Sequence, residues 1–525
     1  SLCHLPFAIF NFSLQFTHIN SIIIVCIYVL KIRGELMYLC PQPKNIELKK
    51  GMLYFPVKSM PEIVNKITPE LSQKESYRIN IDENGVLIEG ADDTGIYYGE
   101  LTLKQLMLNY RGCLPYMYLY DEPEFLYRGF MIDSCRHFFT VDEIKKMIDG
   151  AAYFKLNKFH FHLSDDQGFR IEIKSYPKLT TVGSVRPSSN FGRGENDNNP
   201  YGGYYTKEEL KEIVAYCKER HIEVIPEFDF PGHTTSVLAA YPELSCTGEE
   251  IQPKTTAGIF KDILCAGNPE TLKLVFAVLD ELCEIFTGEY IHIGGDEAPK
   301  TRWCECDKCK EKLNELGLVN MDQLQGYLAN EAAAYLKKKG KKAICWNEAI
   351  KGGNVEKDNI TVALWRDKTK ASIEWANGGN PLIAECFTPY YVDYPYGMHP
   401  LKSVYMFEPR KLRGLTSLGG AAVIGVESPI WTEYVTSFEK MTYLCFPRWL
   451  AVAETGWNNV NKKGYAKFIK TAEFFCDILK GMGITPAPRE EWDILPQSRL
   501  KETVGFFSNT LSKSAVKQFF GKADK

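Results

Sequence analysis

Two adjacent carboxylates, Asp296 and Glu297, close the run Glu289-Tyr-Ile-His-Ile-Gly-Gly-Asp-Glu-Ala-Pro299. Ile291 and Ile293 alternate with His292 and Gly294, which predicts a strand. Gly294 and Gly295 then leave the backbone bare at the strand's end, where another group can come close. Pro299 ends the extended run. An isolated Asp-Glu pair is usually a solvated surface feature. Behind an apolar strand and a Gly-Gly it becomes a candidate for acid–base chemistry. Neighbours in an extended chain point to opposite sides. These two are therefore poorly placed as acid and nucleophile on one carbon, a task that needs carboxyls about 5–5.5 Å apart across the scissile bond.

The elements that must position this pair follow a strand–helix rhythm from Phe125 onward. Eight strand candidates end in Met131-Ile132, Phe159 to Leu163, Glu223 to Ile225, Tyr290 to Ile293, Ala343 to Cys345, Thr361 to Leu364, Leu382 to Ala384 and Ala422 to Val426. Thr140 with Glu143, and Thr206 with Glu209, form capping boxes. Ile144, Met147, Ile148 and Ala151 share a face of the first helix, and Leu210, Ile213, Val214 and Cys217 a face of the second. Leu272, Val275, Phe276 and Leu279 are expected to line a third. Eight strands alternating with helices predict a (β/α)8 barrel over residues 125–484. A doubly wound sheet would carry a Gly-rich phosphate loop, which this chain lacks.

In such a barrel the residues after each strand gather on one face. They are Asp133, Arg136 and His137, then Asp165-Asp166, then Glu227, Asp229 and His233. Asp296-Glu297 come next, then Trp346-Asn347-Glu348, Trp365-Arg366, Tyr391 with Asp393, and Trp431 with Glu433. Acids interleaved with rings suit a sugar: rings cover the apolar face of a pyranose, and carboxylates accept its hydroxyls and move protons. His160-x-His162 offers a rival, since histidines two apart on a strand face the same way, as in metal-dependent hydrolases. His233 and Asp229 are its possible further ligands.

Ahead of the barrel, residues 37–124 read as a small α+β unit. Tyr77 to Asp82 and Val86 to Glu89 flank the hairpin signal Asn84-Gly85, and Gly95 to Leu106 has an apolar helical face. Residues 1–36 look foreign to the rest of the chain. Their apolar run, Ser21 to Leu30, is too short to span a bilayer, for which about 20 residues are needed, and Lys31 and Arg33 come after it, where a secretory signal has its basic residues before. The expectation is a non-native or leader extension that the fold can spare. Residues 485–525, with Leu500 to Phe520 at helical spacing, are expected to form a helical tail outside the barrel.

A net charge of −4 argues against a nucleic-acid partner, because no basic excess exists to neutralise phosphates. Sixteen cysteines, mostly scattered singly, read as free thiols of a reducing compartment, so the expected location is cytoplasmic. Cys304, Cys306 and Cys309 form Cys-x-Cys-x-x-Cys. A structural zinc wants four ligands, and no fourth Cys or His stands near in sequence. The expectation is a loop with incidental thiols and no metal or other cofactor.

The motifs together resemble glycoside hydrolase family 20, the β-N-acetylhexosaminidases, from about Ile79 to Trp457. Gly95 to Leu106 is similar to the helix of that family's accessory domain. Tyr127-Arg-Gly129 with Asp133 and Arg136-His137 resembles its first-strand motif, His162-Leu-Ser-Asp-Asp-Gln-Gly168 its second, and Pro226-Glu-Phe-Asp-Phe-Pro-Gly-His233 its third. The resemblance implies that Arg128 binds the hydroxyls of the non-reducing sugar with Glu433 as its paired acid, and that Asp165 belongs to the substrate site. Asp229 and His233 would form a polar chain behind the catalytic Asp296 and Glu297. Trp346, Trp365 and Trp431 would wall an acetamido pocket with Tyr391, and Asp393 would lie near O6. It further implies exo-acting removal of terminal N-acetylglucosamine, or N-acetylgalactosamine, from glycans. Catalysis would be substrate-assisted: Glu297 protonates the leaving oxygen while an ionised Asp296 holds the acetamido N–H. Phe169 departs from the tryptophan of many members, and no Trp stands between Asp393 and Trp431. A catalytically silent sugar-binding barrel is the alternative, though such a protein would have no need of an acid at Glu297.

Overall fold

The computed structural model describes residues 37–510 except 58, 111, 193–196, 367–368 and 459–463. The expectations for residues 1–36 and for the end of the tail lie outside the described residues. The described chain forms two compact units: residues up to Glu124 together with Trp457–Pro486, and Phe125–Gly456 together with residues from Ala487 onward.

The first unit is a five-stranded sheet covered by a helix. The strands run in the order Asn45–Tyr54, Cys113–Asp121, Tyr77–Asp82, Gly85–Gly90, Ile63–Ile67. The Asn84-Gly85 signal makes its hairpin, pairing Asp82 with Gly85. The helix, Asp93–Asn109, is capped by Asp92, whose Oδ1 accepts from Gly95 N–H at 2.8 Å. Trp457–Pro486 belongs to this unit, which moves the barrel's expected end at 484 back to Gly456. The reason is visible in the packing. Trp457 is fully buried, its indole donates to Asp121 Oδ1 at 2.8 Å, and it meets Tyr98 edge-on at 5.4 Å. Phe474, on the helix Tyr465–Gly481, stacks on Tyr38 at 5.0 Å.

The second unit is a closed barrel of eight parallel strands in chain order: Tyr127–Asp133, Lys158–His162, Glu223–Glu227, Tyr290–His292, Lys342–Trp346, Ile360–Leu364, Leu382–Ala384 and Val423–Ile430. Every expected strand is present. Both capping boxes form, at the starts of Val141–Tyr153 and Lys207–Lys218. The helix Pro269–Ile285 turns a slightly different face inward than the sequence suggested: Leu274, Val275, Val278 and Leu279 are buried, while Leu272 and Phe276 are half-buried. The barrel interior is apolar toward its middle, where Tyr127, Ile225, Ile344, Ala363 and Ile383 pack beneath Trp346. Above them lies a layer of charge. His160 sits between Glu427 (2.6 Å) and Glu227 (3.1 Å), and His162 between Glu227 and Asp165. The two histidines thus serve a carboxylate network. The tail helix, Pro496–Thr510, lies against the barrel unit: Arg499 Nε donates to Gly397 O (2.9 Å) and Phe506 meets Tyr394 at 5.4 Å. Among the described residues, no helix is long and apolar enough to cross a membrane.

The Thr206 box closes with two reciprocal bonds, Thr206 N–H to Glu209 Oε2 (2.8 Å) and Glu209 N–H to Thr206 Oγ1 (3.2 Å). Thr206→Ala is expected to cost about 1 kcal/mol. Differential scanning calorimetry should show a small drop in the melting temperature of the barrel, with catalytic constants unchanged.

Candidate active site

The strand carrying Ile291 ends in a turn that only glycine permits. Gly294 and Gly295 have φ of 63° and 101°. A Cβ on Gly294 would stand 1.8 Å from Asp229 Oδ1, and that oxygen accepts the Gly295 N–H at 2.9 Å. The Gln325 amide donates to Gly295 O at 2.6 Å. The bare backbone therefore admits a carboxylate from the neighbouring strand, which fixes the turn. Glu297 itself is left-handed, φ 41°, as is His233 at 53°. Non-glycine residues hold that conformation at a cost of order 1–3 kcal/mol, and such strain gathers at functional sites. The Glu297 N–H is anchored by donating to Glu348 Oε2.

Asp296 and Glu297 both face His233, whose Nε2 lies 3.9 Å from Asp296 Oδ2 and 3.7 Å from Glu297 Oε2. The other ring nitrogen faces Asp165 Oδ1 and Asp166 Oδ2, each at 3.2 Å. The expected polar chain behind the pair is thus built from His233, Asp165 and Asp166, while Asp229 supports the glycine turn. Asp165 is enclosed: Arg136 reaches its Oδ2 at 2.6 Å and His162 Nε2 the same oxygen at 2.9 Å. Asp165 and Asp229 are each 1% exposed. Both act through the groups they hold, which corrects the expectation that Asp165 belongs to the substrate site and moves Asp229 from the polar chain to the turn.

Arg128 is also corrected. It occupies the second position of the first strand, at the end of the barrel opposite the chemistry. Its Nε donates to Lys155 O (2.8 Å) and its Nη1 to Phe125 O (2.7 Å). The arginine at the mouth is Arg136. It contacts Asp133 (3.1 Å), Asp165 (2.6 Å), Gln167 (2.9 Å) and, more distantly, Glu433 (3.9 Å), with its guanidinium over the Trp431 ring. The signal that finds it is positional, because chemistry in a barrel stands after a strand and not at its start.

The rings form one continuous wall. Trp346 lies 6.0 Å from Trp431, Trp431 6.2 Å from Tyr391, and Tyr391 6.1 Å from Trp365. Trp346 is locked by donating to Glu227 Oε1 at 2.8 Å. Among the described residues, Asp296 Oδ1, Asp393 Oδ1 and the Trp365 indole N–H are buried without a hydrogen-bond partner. Buried polar atoms are normally satisfied, so three of them around one ring-walled mouth mark where a polar ligand sits. Arg366 reaches Glu297 (3.3 Å) and Glu348 (3.3 Å), whereas the sequence shows it only as a neighbour of Trp365. Phe169 is fully buried against Phe228, a core role in place of the family's tryptophan.

Crowded burial sets the protonation states. Burial pushes the Glu297 carboxyl up to about 7, with Asp296 adding to the shift and His233 opposing it. Burial, then Asp229, raises Asp296 well above the usual carboxylate range. Burial opposes the charge on His233, but Asp165 and Asp296 overcome it and hold the imidazole well above its ordinary range. Burial in the free site thus works against the charged form of both central acids, against the expectation of an ionised Asp296. A ligand N–H reaching the empty Oδ1 would favour the anion.

The chain matches glycosyl hydrolase family 20, catalytic domain, over residues 125–460, and domain 2 of the same family over 45–121. It belongs to that family. A beta-hexosaminidase of Porphyromonas gingivalis is 38% identical over 445 residues, covering 80% of this chain and 56% of that one. One from Akkermansia muciniphila is 34% identical, covering 82% and 87%. Among solved structures, a beta-N-acetylhexosaminidase superposes with a TM-score of 0.77 at 32% identity, covering 84% of this chain and 95% of that one. The Bacteroides fragilis enzyme gives 0.75 at 30%, covering 86% and 98%.

Two arginines separate the two ends of the barrel. Arg136→Met should lower kcat/KM by about 10²-fold or more, since it strands buried carboxylates worth about 3–5 kcal/mol. Arg128→Met should lower the melting temperature and leave the kcat/KM of the folded fraction intact. Steady-state kinetics with active-site titration distinguishes the two, and equal kinetic damage from both changes would contradict the assignment.

Proposed function

We propose that this barrel is an exo-acting β-N-acetylhexosaminidase that hydrolyses terminal β-linked N-acetylglucosamine or N-acetylgalactosamine. The observation that carries the reading is the pair of buried Asp296 and half-buried Glu297, with Asp296 Oδ1 lacking a hydrogen-bond partner among the described residues, beside the wall of Trp346, Trp365, Trp431 and Tyr391. The rings take the acetamido methyl. The Tyr391 hydroxyl donates to its carbonyl oxygen, and Asp296 Oδ1 accepts its N–H. Arg136, Glu433 and Asp393 take the sugar hydroxyls.

Each chemical role comes from environment. Glu297, held protonated by burial, gives its proton to the leaving oxygen as the glycosidic bond breaks. Asp296 orients the acetamido group and stabilises the positive charge that develops on its nitrogen. The substrate's own carbonyl oxygen attacks the anomeric carbon, forming an oxazolinium ion. Glu297, now a carboxylate, takes a proton from the water that opens it, and the β-configuration is retained. This family is an exception to the two-carboxylate scheme of most retaining glycosidases. Buried thiols such as Cys135, Cys217, Cys345 and Cys445 support a reducing, cytoplasmic location as part of the same reading.

An aryl β-N-acetylglucosaminide should be cleaved rapidly and the corresponding β-glucoside very poorly, because buried groups left without the acetamido partner cost about 1–3 kcal/mol each. Comparable rates on both would overturn the pocket assignment. Glu297 must be protonated to act, so kcat/KM should fall about tenfold per pH unit above about pH 7. Glu297→Gln should remove that limb and cost about 10²–10⁴ in rate, least for good leaving groups. An alkaline limb that survives Glu297→Gln would assign the acid elsewhere.

A further inference from the structure

The fold gathers four thiols that the sequence keeps apart. Cys246 comes just after the turn Pro242–Leu244, and Cys265 lies on the same excursion between the third and fourth barrel strands. Cys306 and Cys309 open the helix Asp307–Glu315, a short way beyond the catalytic pair. Their sulfurs lie within 4.8 Å of one another. Cys246 and Cys309 are 3.8 Å apart, Cys265 and Cys306 3.8 Å, and Cys265 and Cys309 3.5 Å. A tetrahedral zinc with Zn–S bonds of about 2.3 Å has S···S edges of about 3.8 Å. Cys304, the remaining cysteine of the Cys-x-Cys-x-x-Cys run, is exposed and stands outside the cluster.

The backbone around the sulfurs is built to match. Ser245 and Leu264 form an antiparallel bridge that holds the segments carrying Cys246 and Cys265 together, and Cys265 N–H donates to Leu244 O at 2.8 Å. The Gly267 N–H points at the Cys265 and Cys309 sulfurs, the placement that supports thiolates. Gly267 can be nothing larger, because a Cβ there would meet Lys308 O at 2.1 Å. The buried Trp303 indole donates to Leu264 O at 2.9 Å, and Arg302 Nε to Asp262 Oδ1 at 2.8 Å. Two loops from different strand ends are clasped at one point, and a Cys-x-x-Cys turn supplies half of the ligands.

We propose that Cys246, Cys265, Cys306 and Cys309 bind one structural zinc ion as a tetrathiolate. Four thiols lose their protons to solvent as Zn²⁺ enters, leaving a closed site of net charge −2 with no open position for chemistry. Its purpose is mechanical. It ties the loop after the third strand, which carries His233, to the segment just beyond Asp296 and Glu297. The site stands apart from the catalytic reading and does not depend on it.

The test uses the full chain purified under reducing conditions, without chelators or metal-affinity resin. Elemental analysis by plasma mass spectrometry should give about one zinc per chain, a stoichiometry that marks a closed structural site. Replacing zinc with cobalt should give the thiolate charge-transfer and red ligand-field bands of a tetrahedral tetrathiolate. Cys304→Ser should keep the metal, whereas Cys306→Ser and Cys265→Ser should lose about tenfold or more of it and melt at lower temperature. If those two variants do not fold, the wild-type stoichiometry and the cobalt spectrum still decide. Wild-type protein that contains no zinc and takes up neither zinc nor cobalt would overturn the proposal. So would a disulfide among the four cysteines, a native iron content, or full metal retention by Cys306→Ser.

Discussion

A carboxylate in a dry site must be paired or must keep its proton, and the mouth of this barrel holds more acids than cations. Asp133, Asp165, Asp229, Asp296, Asp393 and Glu433 converge there with Glu297, against Arg136, His233 and the more exposed Arg366. The structure meets the constraint by division of labour. Asp133 and Asp165 take Arg136 and His233 and are held below the usual range against the opposing pull of burial. Asp229, Asp296, Glu297 and Asp393, given less cation, are driven up chiefly by burial. That imbalance produces a general acid near neutrality.

Geometry supplies what electrostatics alone cannot. The Gly294–Gly295 turn exists because Asp229 occupies the space that a side chain would need. The turn ends the strand early and throws Asp296 and Glu297 into the mouth, Glu297 in a left-handed conformation that its bond to Glu348 sustains. Arg366 then touches both glutamates. A side chain whose backbone is fixed on both sides loses little freedom on reaching its reactive position, which is what proton transfer to a bound leaving group requires.

Much of this architecture is legible in the sequence. Strand order and the capping boxes come from local periodicity and local hydrogen bonds, and both are present as expected. The Gly-Gly before the acids carries its meaning in the absence of side chains. The features that sequence misses depend on three dimensions. Arg128 and Arg136 lie eight positions apart, and only the sense of the strand tells which faces the substrate. Asp165 lies among candidate substrate-binding residues in sequence, yet it is sealed behind three cationic partners in space. The segment from Trp457 reads as barrel because it continues a helical pattern, while its anchor, Asp121, is more than three hundred residues away in the chain. The cysteines show the same effect most plainly, since two partners of Cys306 and Cys309 come from a different loop.

The central claim is that the substrate's acetamido oxygen, oriented by Asp296, is the nucleophile. Its most direct test is the hydrolysis of one aryl β-glucosaminide carrying N-acetyl, N-fluoroacetyl, N-difluoroacetyl and N-trifluoroacetyl groups. Fluorine drains electron density from the carbonyl oxygen while changing its bulk little. The account requires kcat to fall steeply and steadily along the series, whereas a rate insensitive to fluorination would contradict it and point to a nucleophile on the protein.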